Sequence, residues 1–304
     1  MTAPAPIAIF VYRRADHARR MLHSMRQNPL TSRSPVTIYC DGPRGDHDAQ
    51  AVAQVRAAVR ELAPAHARVV ERDANLGLSR SVIAGVTETV QRHGEAIVIE
   101  EDLELSPVAL DYFNAALARY RDEARVMHIA GYMYPVRETL PETFFYREAT
   151  CYGWATWARA WEKFEPDASR IRDALRERGA QREFDLGGTY DFSGMLDLQI
   201  DGRIDSWAIR WHGSLWLHGG LALHPGRSLV RNTGFDGSGE NCGDLSLAWD
   251  VELGDRPVRE FAATVTEDAG AVRAMMAYRK RSALAYRLVD LRSAWRRWRR
   301  RVPV

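Results

Sequence analysis

Two hydrophobic periods alternate along the first 130 residues. Pro6 to Tyr12 (PIAIFVY) is a continuous β-rich run, and after it Ala15, Ala18, Met21, Leu22 and Met25 recur at helical spacing. The run VTIYCDG (36–42) predicts a second strand, followed by a helix with Val52, Val55, Val59 and Leu62 on one face. A short strand in ARVVERD (67–73), a turn-like ANLGLS, a helix over about 80–91 and a buried strand in AIVIEED (96–102) complete the series. This order, β-α-β-α-β-α-β, predicts an α/β fold with a mostly parallel central sheet covered by helices on both faces. A further helix over 107–122 and a strand in VMHIAGYMY (126–134) follow, and then the alternation stops. Residues 140–240 are rich in Trp, Tyr, Gly and His, with a polar helical stretch near 168–181 and short strands such as LALHP. With no repeat or low-complexity linker, the expected organisation is one body over 1–270. Its halves are 1–135 and 136–270, and a basic amphipathic helix over 271–304 follows.

In sheets of this kind ligands gather beyond the carboxyl ends of the strands. The polar residues there are Arg13 and Arg14 after the first strand, Asp41 after the second, Arg72 and Asn75 after the third, and Glu100, Glu101 and Asp102 after the fourth. Three adjacent carboxylates at the end of a buried strand repel one another and need a counter-charge. Three explanations are open: a solvated turn, the cap of the helix that follows Pro107, or a divalent cation that arrives with phosphates. Mg²⁺ and Mn²⁺ are held in this way, by one or two carboxylates together with substrate oxygens.

The segments IAIFVYRRADHARRML, VTIYCDG, IVIEEDLELSP, YFNAALARYRDEARVMHIAGYMY, CYGWATWARAWEKFEPD and DSWAIRW occur in that order over about residues 6–245. Together they resemble the nucleotide-sugar-dependent glycosyltransferases of the GT-A fold, in particular bacterial relatives of the N-acetylglucosaminyltransferase that opens complex N-glycan branching. The specific parts are E-[ED]-D-x-E-x-[SA]-P and G-W-x-x-x-x-x-x-W. The resemblance implies a Rossmann-like GT-A sheet and transfer of a sugar from a UDP-sugar to a glycan acceptor; a membrane-bound tail would make that acceptor lipid-linked, with bacterial surface-polysaccharide synthesis as the expected setting. It implies that Asp102 binds Mn²⁺ or Mg²⁺, that Glu101 approaches the ribose and Glu100 the donor-sugar hydroxyls, that Asp41 accepts from the uracil N–H, and that Arg14 lies beside the nucleotide.

An inverting transfer also needs a base on the opposite face of the sugar, and Asp205 in RIDSWAIRW is the candidate. The resembling enzymes carry two adjacent acids before this tryptophan. Here the second position is Ser206, so Asp201 and Asp197 stand as substitutes. The glycine-rich SLVRNTGFDGSGENCGD (228–244) suits a loop that folds over a donor, with Arg231, Asn232 and Ser238 as candidates for the diphosphate and Arg72 for the nucleotide pocket. Glycines that merely make turns are the alternative. Trp154, Trp157, Trp161, Trp207, Trp211 and Trp216 are either a sugar platform or core, and His212, His218 and His224 lack metal-ligand spacing and are expected to be structural.

Composition narrows the class. At 46% hydrophobic and 27% charged residues, with no apolar run of about 20, the chain reads as a soluble, cytoplasmic globular protein. Cys40, Cys151 and Cys242 form no paired motif, so neither a disulfide framework nor a zinc site is indicated. The net charge of +2 is uneven: residues 278–301 hold ten Lys or Arg and one Asp, leaving about −7 on the remainder. Leu284, Leu288, Leu291, Trp295 and Trp298 share a helical face opposite arginines. That pattern fits peripheral binding to an anionic inner-membrane surface through 279–301, or docking on protein; it does not fit a nucleic-acid arm, where the apolar stripe would have no purpose. A metal-dependent nucleotidyltransferase or phosphohydrolase, and a non-catalytic sugar- or nucleotide-binding protein, are the competing classes.

Overall fold

A computed structural model describes residues 3–234 and 250–282. The first half forms as the two periods predict: β1 (Ile7–Val11), α1 (Ala15–Arg26), β2 (Val36–Cys40), α2 (Asp46–Leu62), β3 (Arg68–Glu71), α3 (Leu78–His93) and β4 (Glu95–Glu100). A short β5 (Leu103–Leu105), α4 (Ala109–Arg119) and β6 (Val126–Ala130) follow. The second half supplies β7 (Thr143–Tyr146), β8 (Trp154–Trp157), the single turn α5 (Ala158–Trp161), α6 (Ala168–Glu177), the single turn α7 (Gln181–Phe184), α8 (Phe192–Ile200), α9 (Trp207–Leu217), β9 (Leu221–Pro225) and β10 (Val230–Asn232).

Eight strands form one sheet in the order β3-β2-β1-β4-β8-β6-β9-β7. The pairs β3-β2, β2-β1, β1-β4 and β6-β9 are parallel, whereas β8 and β7 run against their neighbours. Residues beyond 135 therefore complete the sheet begun by the first half. Period-two alternation sorts β1 between two cores: Ile7, Ile9 and Val11 pack with residues of α1, α2 and α4, while Ala8 and Phe10 pack with α3 and α9. Ala96 to Ile99 of β4 are wholly buried, as their unbroken apolar run predicts.

Trp154, Trp157, Trp161, Trp207 and Trp211 are core, whereas Trp216 is partly buried. Trp154, Trp161, Trp207 and Trp211 pack ring against ring at 5.0–6.0 Å between centroids, and this cluster closes the α3 face of the sheet. Three histidines pin the strip 148–150 that runs from β7 towards β8. His224 Nε2 donates to the Glu148 carbonyl (2.9 Å), His212 Nδ1 accepts from the Ala149 N–H (3.5 Å), and His128 Nε2 donates to the Thr150 carbonyl (3.0 Å) while its Nδ1 accepts from Trp211.

The basic C-terminal helix begins inside the body. Over helical residues 269–282, Ala271, Ala274, Met275 and Tyr278 are buried. Arg279, expected on a membrane-facing surface, is only 4% exposed because it pairs with buried Glu148. Leu284 to Trp298, and with them most of the 279–301 stretch, lie outside the described residues. Among the described residues no helix is long and apolar enough to cross a membrane.

Burial holds the three histidines well below their ordinary range, His128 to about 3 and His212 and His224 to about 4. Unfolded histidine protonates near pH 6.5. Their contribution to stability is therefore complete above that pH and is lost as pH falls from about 6.5 towards 4. Proton-nitrogen spectra should show all three rings neutral at pH 5, with the proton of His128 and His224 on Nε2. A ring that titrates near pH 6.5 in the folded protein would contradict this packing.

Candidate active site

The direction in which strands are added reverses between β1 and β4, since β2 and β3 lie on one side of β1 and β4 on the other. Such a switch point is where the crevice of an open α/β sheet lies. Phe10 stands opposite Glu100 in the parallel register, so the chain leaves β1 as Tyr12-Arg13-Arg14 beside the point where it leaves β4 as Glu101-Asp102. The Tyr12 N–H donates to Glu101 Oε2 (2.6 Å), Arg14 Nε donates to Glu101 Oε1 (2.8 Å), and Arg14 Nη2 donates to Asp102 Oδ2 (2.8 Å). Burial opposes the Arg14 charge, but Asp102 and Glu101 outweigh it and hold the guanidinium above its ordinary pKa. Burial raises Glu101, partly offset by Arg14 and the Tyr12 N–H.

Part of the counter-charge is therefore resident: Arg14 sets one positive charge against Glu101 and Asp102, which leaves the strand end short of a full match. The third, Glu100, is pushed up to about 8 by burial and then by Asp102, and so carries its proton at neutral pH. Glu101 is likewise not available to a ribose in the way the resemblance implies, because it is 6% exposed and both its oxygens hold donors from the chain. Its place is to orient Arg14.

The clamp leaves two groups with unused capacity. Arg14 Nη1 is buried and has no hydrogen-bond partner among the described residues, and Asp102 keeps its Oδ1 clear of Arg14. Antiparallel pairing of β10 with β5 lays the following residues over this spot: the Thr233 N–H (2.7 Å) and Oγ1 (3.0 Å) both donate to the Asp102 carbonyl. At the next residue, Gly234, any side chain would have to displace the clamp. A Cβ at Gly234 would stand 2.3 Å from Asp102 Oδ2 and 2.9 Å from Arg14 Nη1. Among the described residues no three His, Cys, Asp or Glu side chains form a metal cage. A single hard carboxylate nonetheless suits Mg²⁺ or Mn²⁺ whose other ligands are phosphate oxygens and water, and an unpaired guanidinium N–H suits a phosphate oxygen.

Asp41 serves a different purpose from the one expected. Its Oδ1 accepts from the Gly42 and Leu76 N–H groups (3.0 and 2.8 Å), and its Oδ2 accepts from Asn75 Nδ2 and the Gly77 N–H (3.1 and 3.0 Å). A carboxylate offers about four acceptor positions, and all are filled, which leaves none for a uracil N–H. Asp41 fastens the 74–77 turn that starts α3. Gly42 passes so close to Ala74 that a Cβ would stand 2.4 Å from its carbonyl carbon. Arg72 braces the same turn: its guanidinium bonds Ser81 Oγ and lies 3.9 Å from Asp41.

Asp205 is 62% exposed at its side chain and pairs with Arg210 Nη2 at 2.8 Å. Arg210 also donates to Ser79 Oγ in the first turn of α3 (2.5 Å), which ties Asp205 to the Asp41 side of the rim. Ser206, the departure from the resembling pattern, caps α9 by accepting from the Ile209 N–H. Of the substitutes, Asp197 is held by Arg172 in a two-bond pair. Arg231 bonds Asp250 at 2.7 and 2.9 Å, with Glu104 4.0 Å away, so it is engaged by carboxylates. Ser238 lies outside the described residues. Tyr12 and Asp48 are additions to the site that sequence reasoning missed: Tyr12 OH bonds Asp48, which caps α2 by accepting from the Arg44 and Gly45 N–H groups. The only signal in the sequence is Asp48 three residues after Gly45, an N-terminal reach-back spacing.

Because Glu100 is raised in the folded protein, it holds a proton there that the unfolded chain has released, and stability is lost as pH rises from about 4.5 to 8. Glu100→Gln should therefore gain stability over the parent by a margin that grows between those pH values and then levels, as read by urea unfolding. A margin independent of pH would show that Glu100 is ordinarily ionised.

No family model matches the chain, and no curated protein matches its sequence. Among solved structures, the mannosyltransferase PcManGT from Pyrobaculum calidifontis, in complex with GDP-Man and Mn²⁺, aligns over 71% of this chain and 77% of its own, at 12% identity and a TM-score of 0.36. That likeness is too distant to decide either fold family or activity.

Proposed function

We propose that the protein is a GT-A-type glycosyltransferase that moves a sugar from a UDP-sugar to a saccharide acceptor with inversion, with Mn²⁺ or Mg²⁺ as its cofactor. The observation that carries the reading is the Arg14–Glu101–Asp102 clamp at the switch point, with one arginine N–H unpaired, one carboxylate able to take a hard ion, and glycine above both. Asp102 holds the divalent ion, which when bound supplies Lewis-acid stabilisation of the departing diphosphate.

Arg14 Nη1 donates to a diphosphate oxygen, and Glu101 keeps the guanidinium in the plane that allows this. Glu100 hydrogen-bonds hydroxyls of the donor sugar and orients the ring. Asp205 accepts the proton of the acceptor hydroxyl; its exposure keeps it reachable from solvent, and Arg210 fixes its position. The turn at Thr233 and Gly234 shields the diphosphate from water, which would otherwise intercept the activated sugar.

Thermal unfolding in the presence of UDP, GDP or CTP, each with Mn²⁺, Mg²⁺ or EDTA, tests this reading. UDP with either ion should stabilise the protein, by about 2.7 kcal/mol at a hundredfold excess over Kd, and EDTA should abolish the effect. Asp102→Asn keeps an oxygen for Arg14, so it should fold normally yet lose the ion-dependent part. A response to triphosphates alone, or one unchanged in Asp102→Asn, would refute the assignment.

A further inference from the structure

The helix over 269–282 sets a rotational frame for the residues that follow it in the sequence. Its buried positions are Ala271, Ala274, Met275, Tyr278 and Arg279. Ala271, Met275 and Tyr278 pack with Tyr132, Tyr134 and Leu186, and Arg279 completes this face through its pair with Glu148. Arg273 and Lys280, on the opposite side, are exposed.

The amphipathic pattern of the tail can be placed in this frame. A helix advances about 100° per residue, so an unbroken one would carry Leu284, Leu288, Leu291, Trp295 and Trp298 onto a stripe about 80° wide, centred about 150° from the buried face. The stripe falls on the side of Arg273 and Lys280. The positions that would continue the buried face are Ala285, Val289, Arg292, Arg296 and Arg300, which are mostly arginine.

This phase sorts the partners that the sequence pattern leaves open. The body lies on the wrong side of the helix to cover the stripe. A second copy could meet it only as a coiled coil, because Leu288 and Trp295 have the spacing of a positions and Leu284, Leu291 and Trp298 that of d positions. The flanks of such a coil would then carry Arg287, Arg292, Arg299 and Arg301, which repel their copies with no acidic residue among them. The stripe also spans only about two heptads, where a sustained coiled coil runs to three or four. A nucleic acid would engage the arginines and leave the stripe in water.

An anionic bilayer satisfies both halves of the pattern. Leucine and tryptophan enter the boundary between headgroups and acyl chains, and arginines beside them reach lipid phosphates. The charge is ample even with Arg279 held inside the body, since residues 280–301 contain nine Lys or Arg against Asp290 alone.

We infer that residues 283–301 continue the helix over 269–282 and lie in the plane of an anionic phospholipid bilayer, with Leu284, Leu288, Leu291, Trp295 and Trp298 towards the lipid and the body on the far side. The buried Arg279–Glu148 pair fixes the rotation of the segment against the body. The inference does not depend on the glycosyltransferase reading, and nucleotide binding can fail without touching it.

Co-sedimentation of the full chain with vesicles tests it. Vesicles containing about one-third phosphatidylglycerol should bind the protein, vesicles of phosphatidylcholine alone should not, and binding should weaken as salt rises from about 0.1 to about 0.5 M. Leu288→Ser combined with Leu291→Ser keeps every charge and should weaken binding at least about tenfold. Trp298→Ser repeats the loss at the far end of the stripe and should act in the same direction. Val289→Ser removes an apolar side chain from the opposite side of the helix and should leave binding unchanged. Melting each variant beside its parent separates loss of binding from loss of fold. Binding to neither vesicle, equal binding to both, or an equal loss in Val289→Ser would overturn the inference. So would a dimer that the Leu288 and Leu291 double variant returns to a monomer while Val289→Ser does not, since that outcome assigns the stripe to a second copy.

Discussion

A strand buried along its whole length has to emerge at the end of β4 carrying three consecutive carboxylates, and the rest of the site depends on how that charge is accommodated. Arg14 accommodates it through geometry. Its planar fork places Nε on Glu101 and Nη2 on Asp102 at once, an arrangement that a lysine's single ammonium cannot reproduce. Breaking such a shielded pair by removing one partner typically costs about 3–5 kcal/mol, so the clamp is structural before it is functional. Glu100 is raised instead, by burial first and then by the neighbouring Asp102.

The irregular second half serves the same rim. Packed tryptophans support α9, α9 presents Asp205 and Arg210, and Arg210 reaches across to the start of α3. Three neutral histidines fix the backbone at 148–150, where Glu148 meets Arg279. The aromatic and histidine richness that breaks the α/β alternation thus supports α9 and holds the strip 148–150.

The βαβ half was legible because each element announces its own period, and strand ends marked by Arg14, Asp41 and Glu100 to Asp102 follow directly from the order of elements. The partners were not legible, because they are decided by register. Nothing local says that Arg14 meets Glu101, 87 residues away. Asp41 looked like a ligand acceptor because two of its four donors are backbone N–H groups of a turn more than thirty residues on, which carry no side-chain signature. Arg279 read as part of a basic surface helix for the same reason: its partner Glu148 is 131 residues distant. The places of β8, antiparallel between β4 and β6, and of β9, parallel beside β6, were not legible because the choice of strand partner leaves no periodic trace in the sequence.

The most direct test is a crystal structure grown with UDP and manganese. The account predicts the ion on Asp102, a diphosphate oxygen within hydrogen-bond distance of Arg14 Nη1, and Glu101 still holding Arg14 Nε. Nucleotide bound elsewhere, with the clamp unchanged and apart from it, would contradict the account.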